Sequence, residues 1–367
     1  MDSSGIVFES VERNKAAYAG LSDDIWNYAE TGFMEERSAQ ALASALAARG
    51  FTIEKGLSGI GTAFSASWGR GAMNGTPAMF DRMVEGGKAV NYFSTANNHS
   101  LDMGEEGLIE TLEFLDSRGY PHVGTARSPE ERDKVAMVEK GGVKTAFVSF
   151  TFGTNTSKIP EGKAYLVNSI RLNKPDEDLS PLAAQVAAAR AAGADFVIAL
   201  LHWSLEFETY PATNIVAMGH RVAELGVDAI IGNHPHNVQP IEKYKFEDKA
   251  SGAAREVLIF YALGDLLSLH RTIPDSRLAC LIRLRLSKGA VPGGAAEPRV
   301  TKLEALPVYL FQKKRGGDCA DYRVLDFRKL AAELRSGVDK YGMSARMRRE
   351  FFRLERLMNE VLGPALK

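Results

Sequence analysis

Apolar positions along this chain change period repeatedly, and each change marks an element. Over 36–49, Ala39, Leu42, Ala43, Leu46 and Ala47 fall on one helical stripe, which Gly50 ends. Alternating runs over 51–55 and 62–68 then predict two short strands joined through Gly56 and Gly59. The glycine-rich stretch from Gly69 to Pro77 is the natural boundary. Beyond it the two periods alternate. Helices are expected over 79–88, 105–118, 181–192 and 215–225, and strands over 90–95, 135–140, 143–151, 196–202, 227–231, 257–263 and 278–286. Strands interleaved with helices predict an α/β layered domain whose sheet is largely buried. After residue 311 the pattern changes again. A helix over 344–362 carries Phe351, Leu354, Met358 and Val361 on one face, which predicts a docked terminal helix. Its arginines are diluted by Glu350, Glu355 and Glu360, so a membrane-surface or nucleic-acid helix is the poorer reading. Three segments are therefore expected: a helix-rich appendage over 1–72, a layered domain over 73–310, and a basic helical extension over 311–367.

Composition narrows the classes. With 45% hydrophobic and 25% charged residues in 367, the chain is an ordinary folded protein and not a disordered one. A formal charge of -1 gives no global field toward nucleic acid, and no nucleic-acid partner is expected. Two cysteines, Cys280 and Cys319, are too few for a disulfide framework, and one bridge between them stays open. No apolar run approaches the roughly 20 residues that cross a bilayer. The first residues lack a basic segment followed by an apolar one, so the sequence as written reads as soluble, unexported and cytoplasmic.

The chemistry concentrates in the histidines. None of the seven lies before residue 99, and His99, His202, His234 and His236 each stand at the C-terminal end of an expected strand. Ligands and catalytic groups gather at that end of open α/β sheets. In His234-Pro235-His236, two imidazoles at i and i+2 of extended backbone would face one centre, with Pro235 biasing His234 toward that conformation. Imidazole suits zinc, iron and manganese. Alone, such a pair is more often a surface turn that binds nothing. Asn98 offers an amide oxygen as a ligand, and His99 a proton donor that Asp102 can orient. Equally, Asn97, Asn98 and Ser100 can be turn and capping residues before the next helix. Glu206 and Gln239 are candidates to support a ligating histidine from outside, and Asp265 is a weaker one.

Five ordered blocks carry a resemblance: FSTANNHSLDMGEEGLIETLEFLDSRGYPHVGT, VKTAFVSFTFGTN, FVIALLHWSLEFETYP, VDAIIGNHPHNVQPIE and YALGDLLS. Across roughly residues 79–310 the chain resembles the poly-gamma-glutamate capsule biosynthesis family of the CapA type, within the calcineurin-like metallophosphatase superfamily. The resemblance implies a four-layer α/β/β/α sandwich with a centre of one or two divalent metals, Mn, Fe or Zn. It implies Asn98, His202, His234 and His236 as metal ligands, with His99 as proton donor or transition-state stabiliser. It further implies an anionic polymer or phosphoester-like substrate and an envelope association for family members. One departure matters: that family opens with a strand ending in Gly-Asp, whose Asp binds metal, and residues 1–90 contain no Gly-Asp. Over about 8–72 the chain instead resembles the start of the aminobenzoyl-glutamate hydrolase type of zinc amidohydrolases and peptidases, without that family's histidine ligands. Three functions follow: a metal-dependent hydrolase of capsule polymer metabolism, a non-catalytic binding or assembly protein on the same fold, and an amidohydrolase.

Overall fold

The computed structural model describes residues 3–30, 35–48, 52–55, 64–67, 92–249, 251–266, 273–290, 296–315 and 318–363. The expected boundary over 69–77 and helix over 79–88 lie outside them. The chain divides into two compact units, Met1–Arg70 and Gly71–Lys367.

In the first unit, α1 (Ser3–Tyr28) precedes α2 (Glu36–Ala47), and β1 (Thr52–Lys55) pairs antiparallel with β2 (Phe64–Ser67). Glu30 accepts hydrogen bonds from the Arg37 and Ser38 backbone N–H groups at 2.7 and 2.8 Å. It thereby satisfies donors that the first turn of α2 leaves unpaired. Of the predicted stripe, Ala43 is buried while Leu42 is exposed.

The second unit begins its described part with β3 (Phe93–Ser94), α3 (Gly104–Ser117), β4 (His122–Val123), α4 (Pro129–Asp133) and the hairpin β5 (Ala136–Lys140) to β6 (Val143–Thr151). Next come α5 (Ser180–Ala191), β7 (Phe196–His202), α6 (Thr213–Ala223), β8 (Ala229–Asn233), β9 (Ile241–Glu247) and β10 (Ala254–Phe260). A six-stranded mixed sheet runs in the order β5-β6-β7-β8-β10-β9, with β6, β7, β8 and β10 parallel. The strand β7 shows why its sequence is continuously apolar. Val197, Ala199 and Leu201 pack with Leu182, Val186, Ile215, Met218 and Val222 of α5 and α6 on one face. Ile198 and Leu200 pack on the other face with a second sheet. A strand buried on both faces has no polar side to show.

That second sheet is β11 (Leu278–Ala290), β12 (Ala296–Arg315) and β13 (Asp318–Asp326), all antiparallel. Ile282, Leu284, Val300 and Leu303 meet the six-stranded sheet through Ile198, Ala229, Leu258 and Phe260. Leu278, Cys280, Ala305, Tyr309 and Phe311 meet the last two helices, α7 (Phe327–Arg335) and α8 (Ala345–Val361). Helices, large sheet, small sheet and terminal helices thus follow one another, as expected of the α/β class. All four residues of the predicted terminal stripe, Phe351, Leu354, Met358 and Val361, are buried, and Phe351 stacks on Phe327 at 4.4 Å. The strand β12 passes without interruption through residue 311, where the sequence pattern changes. Cys280 is a buried free thiol, and the Cys319 side chain lies outside the described residues. Among the described residues, no helix is long and apolar enough to cross a membrane.

Candidate metal centre

The topology brings the C-terminal ends of β7 and β8 side by side, pairing His202 with Asn233. The turn after β3 and the loop after β6 close over them. Two chain segments are then laced together. Phe207 N–H donates to the Pro235 carbonyl at 2.7 Å, Asn237 Nδ2 to the Phe207 carbonyl at 2.7 Å, and Gln239 Nε2 to the Glu208 carbonyl at 3.1 Å. Asn237 and Gln239 are buried, so these bonds fix the loop that carries Glu206 against the His234–His236 turn. Gln239 supports the centre through backbone, not through a histidine.

The predicted residues meet. Glu206, His234 and His236 each place one donor atom within 4.8 Å of the other two. The His202 and His234 rings lie 4.8 Å apart, and those of His234 and His236 6.0 Å. His202 Nε2 is 2.8 Å from Asn98 Oδ1, while Asn98 Nδ2 donates to Asn155 Oδ1 at 3.1 Å. The Asn155 bond sets the Asn98 amide so that its oxygen is the atom offered. His99 Nδ1 lies 2.7 Å from Asp102 Oδ2, with both side chains about one-third exposed. The two readings of the Asn98 turn are both realised, by different residues. Asn97 accepts from the His99 N–H at 2.9 Å and Ser100 Oγ from the Asn97 N–H at 2.9 Å, leaving Asn98 for the centre.

One expectation is overturned. The histidine pair does not converge through extended backbone: His234 has φ 105° and His236 φ 61°, and Ser204 (76°) and Phe207 (64°) facing them are also left-handed. Such backbone costs a non-glycine residue about 1–3 kcal/mol. The convergence is therefore imposed by the laced loops and not by Pro235.

Sequence reasoning missed the walls. Phe152 sits 4.7 Å from the His234 ring, and Phe207 stacks on His236 at 5.3 Å. Both stand in loops directly after strands that end at the site, which was the available signal. It also underrated Asp265, whose Oδ1 lies 2.8 Å from His236 Nδ1.

The donor set fits a cation. Burial chiefly, then the neighbouring imidazoles, lowers the His202 pKa to about 3. Burial chiefly lowers that of His234 to about 4, against the opposing pull of Glu206. Both rings are thus neutral and keep a lone pair for a metal at neutral pH. His234 Nδ1 is buried with no hydrogen-bond partner.

The same shifts predict an acid response. Unfolded histidine titrates near about 6.5, so below that pH the unfolded chain takes up protons that the folded site refuses. The stability held in these neutral rings is complete above about pH 6.5 and is lost as pH falls toward 4. Denaturation midpoints of the metal-free protein across that window should fall more steeply for wild type than for His202→Asn. Equal slopes would refute the neutral-ring account.

Fold and site together define a mixed α/β protein with a histidine–carboxylate centre at its strand ends. Residues 37–269, more than half of the chain, match the bacterial capsule synthesis protein PGA_cap family, and the chain belongs to that family. It is 25% identical to the capsule biosynthesis protein CapA of Bacillus anthracis over 176 residues, 47% of this chain and 38% of that one. It is 29% identical to a probable polyglutamine synthesis accessory protein of Mycobacterium tuberculosis over 203 residues, 52% and 53% of the two chains. The chain spans about half the length of the curated relatives it matches. The amidohydrolase-like segment has its own counterpart in a p-aminobenzoyl-glutamate hydrolase of Escherichia coli, 41% identical over 63 residues, 17% of this chain and 13% of that one. The sulfate thiohydrolase SoxB of Thermus thermophilus superposes with a TM-score of 0.33 at 14% identity over 77% of this chain and 37% of that one, too loosely to carry an argument.

Proposed function

We propose that this chain is a metal-dependent hydrolase of poly-γ-glutamate capsule metabolism, acting on a phosphoester or related bond of an anionic substrate. Family membership supports the pathway. The observation that carries the chemistry is the meeting of Glu206, His234 and His236 beside the Asn98–His202 pair. Glu206 supplies a carboxylate to this group, while residues 1–90 hold no Gly-Asp. Glu206, His234 and His236 would hold one divalent ion, and Asn98 and His202 stand beside them as further candidate ligands. What such an ion supplies is Lewis-acid polarisation of a substrate oxygen and an activated water.

The remaining work falls to the chain itself. Asp102 accepts the Nδ1–H of His99 and leaves Nε2 as the atom that holds or passes a proton at the leaving oxygen. The exposure of that pair suits contact with a bound substrate. Phe207 stacks on His236 and Phe152 packs at a tilt against His234, so apolar side chains line that side of the two rings.

The test is divalent-metal content of the purified protein together with turnover of a generic phosphodiester. His99→Ala should keep the metal and lower turnover by about 10²–10⁴-fold, the usual effect of a positioned acid. Undiminished turnover would remove His99 from the chemistry. A protein that takes up no divalent ion and turns over nothing would be a binding or assembly member of the fold.

A further inference from the structure

We infer that Asp265 is a positioning residue: it holds His236 in the Nδ1–H form and so leaves Nε2 as the nitrogen available to a cation. This rests on the metal-centre reading above and adds a residue to it. His236 Nδ1 and Asp265 Oδ1 are 2.8 Å apart, and their side chains are 18% and 10% exposed. A carboxylate accepts, so the ring donates, and the proton on Nδ1 settles which nitrogen keeps its lone pair.

Both partners are held where they are. Phe207 stacks on the imidazole with an interplanar angle of 23°, and that phenylalanine is itself fixed by its N–H bond to the Pro235 carbonyl. The backbone under Asp265 is pinned to the small sheet. Cys280 N–H donates to the Leu263 carbonyl at 2.8 Å, and Val238 and Leu263 form a bridge. Gly264, between Leu263 and Asp265, has φ +72°, and a Cβ there would lie 2.8 Å from the Leu278 carbonyl oxygen. Only glycine lets the chain turn this tightly and present the next side chain to His236.

A second carboxylate–histidine pair gives the contrast. Asp102 and His99 make the same bond at 2.7 Å, but with about one-third of each side chain exposed. The more enclosed pair fixes a ligand, whereas the open one serves proton transfer. Asp265 therefore does not serve as a ligand itself; its place is behind His236.

The test uses ¹⁵N-histidine-labelled full chain, metal-free, and Zn²⁺ as the probe. In wild type His236 should report the Nδ1–H tautomer. Asp265→Ala should move it toward Nε2–H and weaken Zn²⁺ binding roughly ten- to hundredfold, the usual cost of losing such a partner. Asp265→Asn keeps an acceptor oxygen, so it should retain the tautomer and bind with intermediate affinity; it also serves if the alanine variant does not fold. An unchanged tautomer in the alanine variant, or wild-type tautomer and Zn²⁺ affinity in both, overturns the inference. If wild type binds no Zn²⁺, the metal-centre reading falls, and the tautomer measurement alone decides the role of Asp265.

Discussion

His234→Gly is expected to abolish metal binding while leaving the metal-free protein within about 1 kcal/mol of wild-type stability. Truncating a buried aromatic ring ordinarily costs about 3–5 kcal/mol, and this ring contacts Phe152 and His202. Here two existing penalties offset that loss. The residue sits at φ 105°, where a side chain costs about 1–3 kcal/mol that glycine avoids. Its Nδ1 is also buried without a partner, a further penalty of about 1–3 kcal/mol. The greater chain entropy of glycine cancels about 0.5–1 kcal/mol of that relief. At mid-range these terms leave a net loss of no more than about 1 kcal/mol. Metal affinity, by contrast, should fall by at least about a hundredfold, beyond the effect of losing an outer partner. Zn²⁺ titration and a denaturant midpoint read the two quantities separately. A stability loss above about 2 kcal/mol would dismiss the strain argument, and undiminished affinity would dismiss the centre.

Gly232→Ala should be the most damaging single methyl group in the described part of the second unit. A Cβ there would lie 2.1 Å from the Tyr261 carbonyl oxygen, 2.4 Å from Trp203 Nε1 and 2.8 Å from the Phe260 carbonyl oxygen. Two of the three neighbours are backbone at the end of β10, and the third belongs to a fully buried indole. None is a flexible tip that can swing away. The added atom would also push apart the Trp203 Nε1–Tyr261 hydrogen bond of 3.0 Å. Overpacking usually costs about 1–3 kcal/mol, and clashes with backbone belong at or above the top of that range. A loss of at least about 3 kcal/mol is expected in denaturant unfolding, accompanied by loss of metal, since His234 follows two residues later. A change below about 1 kcal/mol would show that β8 and β10 can separate freely.

Which parts could be read from residues alone follows from where water is. β7 was legible to its ends because both faces are buried and its run from Phe196 to Leu201 is unbroken. α8 was legible because its one dry face repeats at the helical period. β12 was not: Pro298 and Pro307 interrupt a 20-residue strand that passes from exposed Arg299, Thr301 and Lys302 into a run buried on both faces over 307–312, so no single period marks it. α7 is only nine residues long, although Asp326 caps it by accepting the Lys329 N–H at 2.8 Å. At the site, the histidines were legible because strand ends are where such groups gather. The place of Glu206 was not, since it depends on Asn237 and Gln239 bonding the carbonyls of a loop about 30 residues away. The left-handed conformations at His234 and His236 have no local signature either. A histidine there is what chain propensity disfavours and tertiary bonding enforces.

The loop bearing Glu206 has a second mooring. Tyr210, four residues on, donates its hydroxyl to the Glu360 carboxylate near the end of α8. That helix is rooted in the core it shares with β11 and β12. A tail that lies beyond the family match is therefore tied to the loop that carries Glu206 of the candidate site. Insertions, proteolytic nicks or substitutions that loosen the last two turns would be felt some 150 residues upstream, where Tyr210 lies.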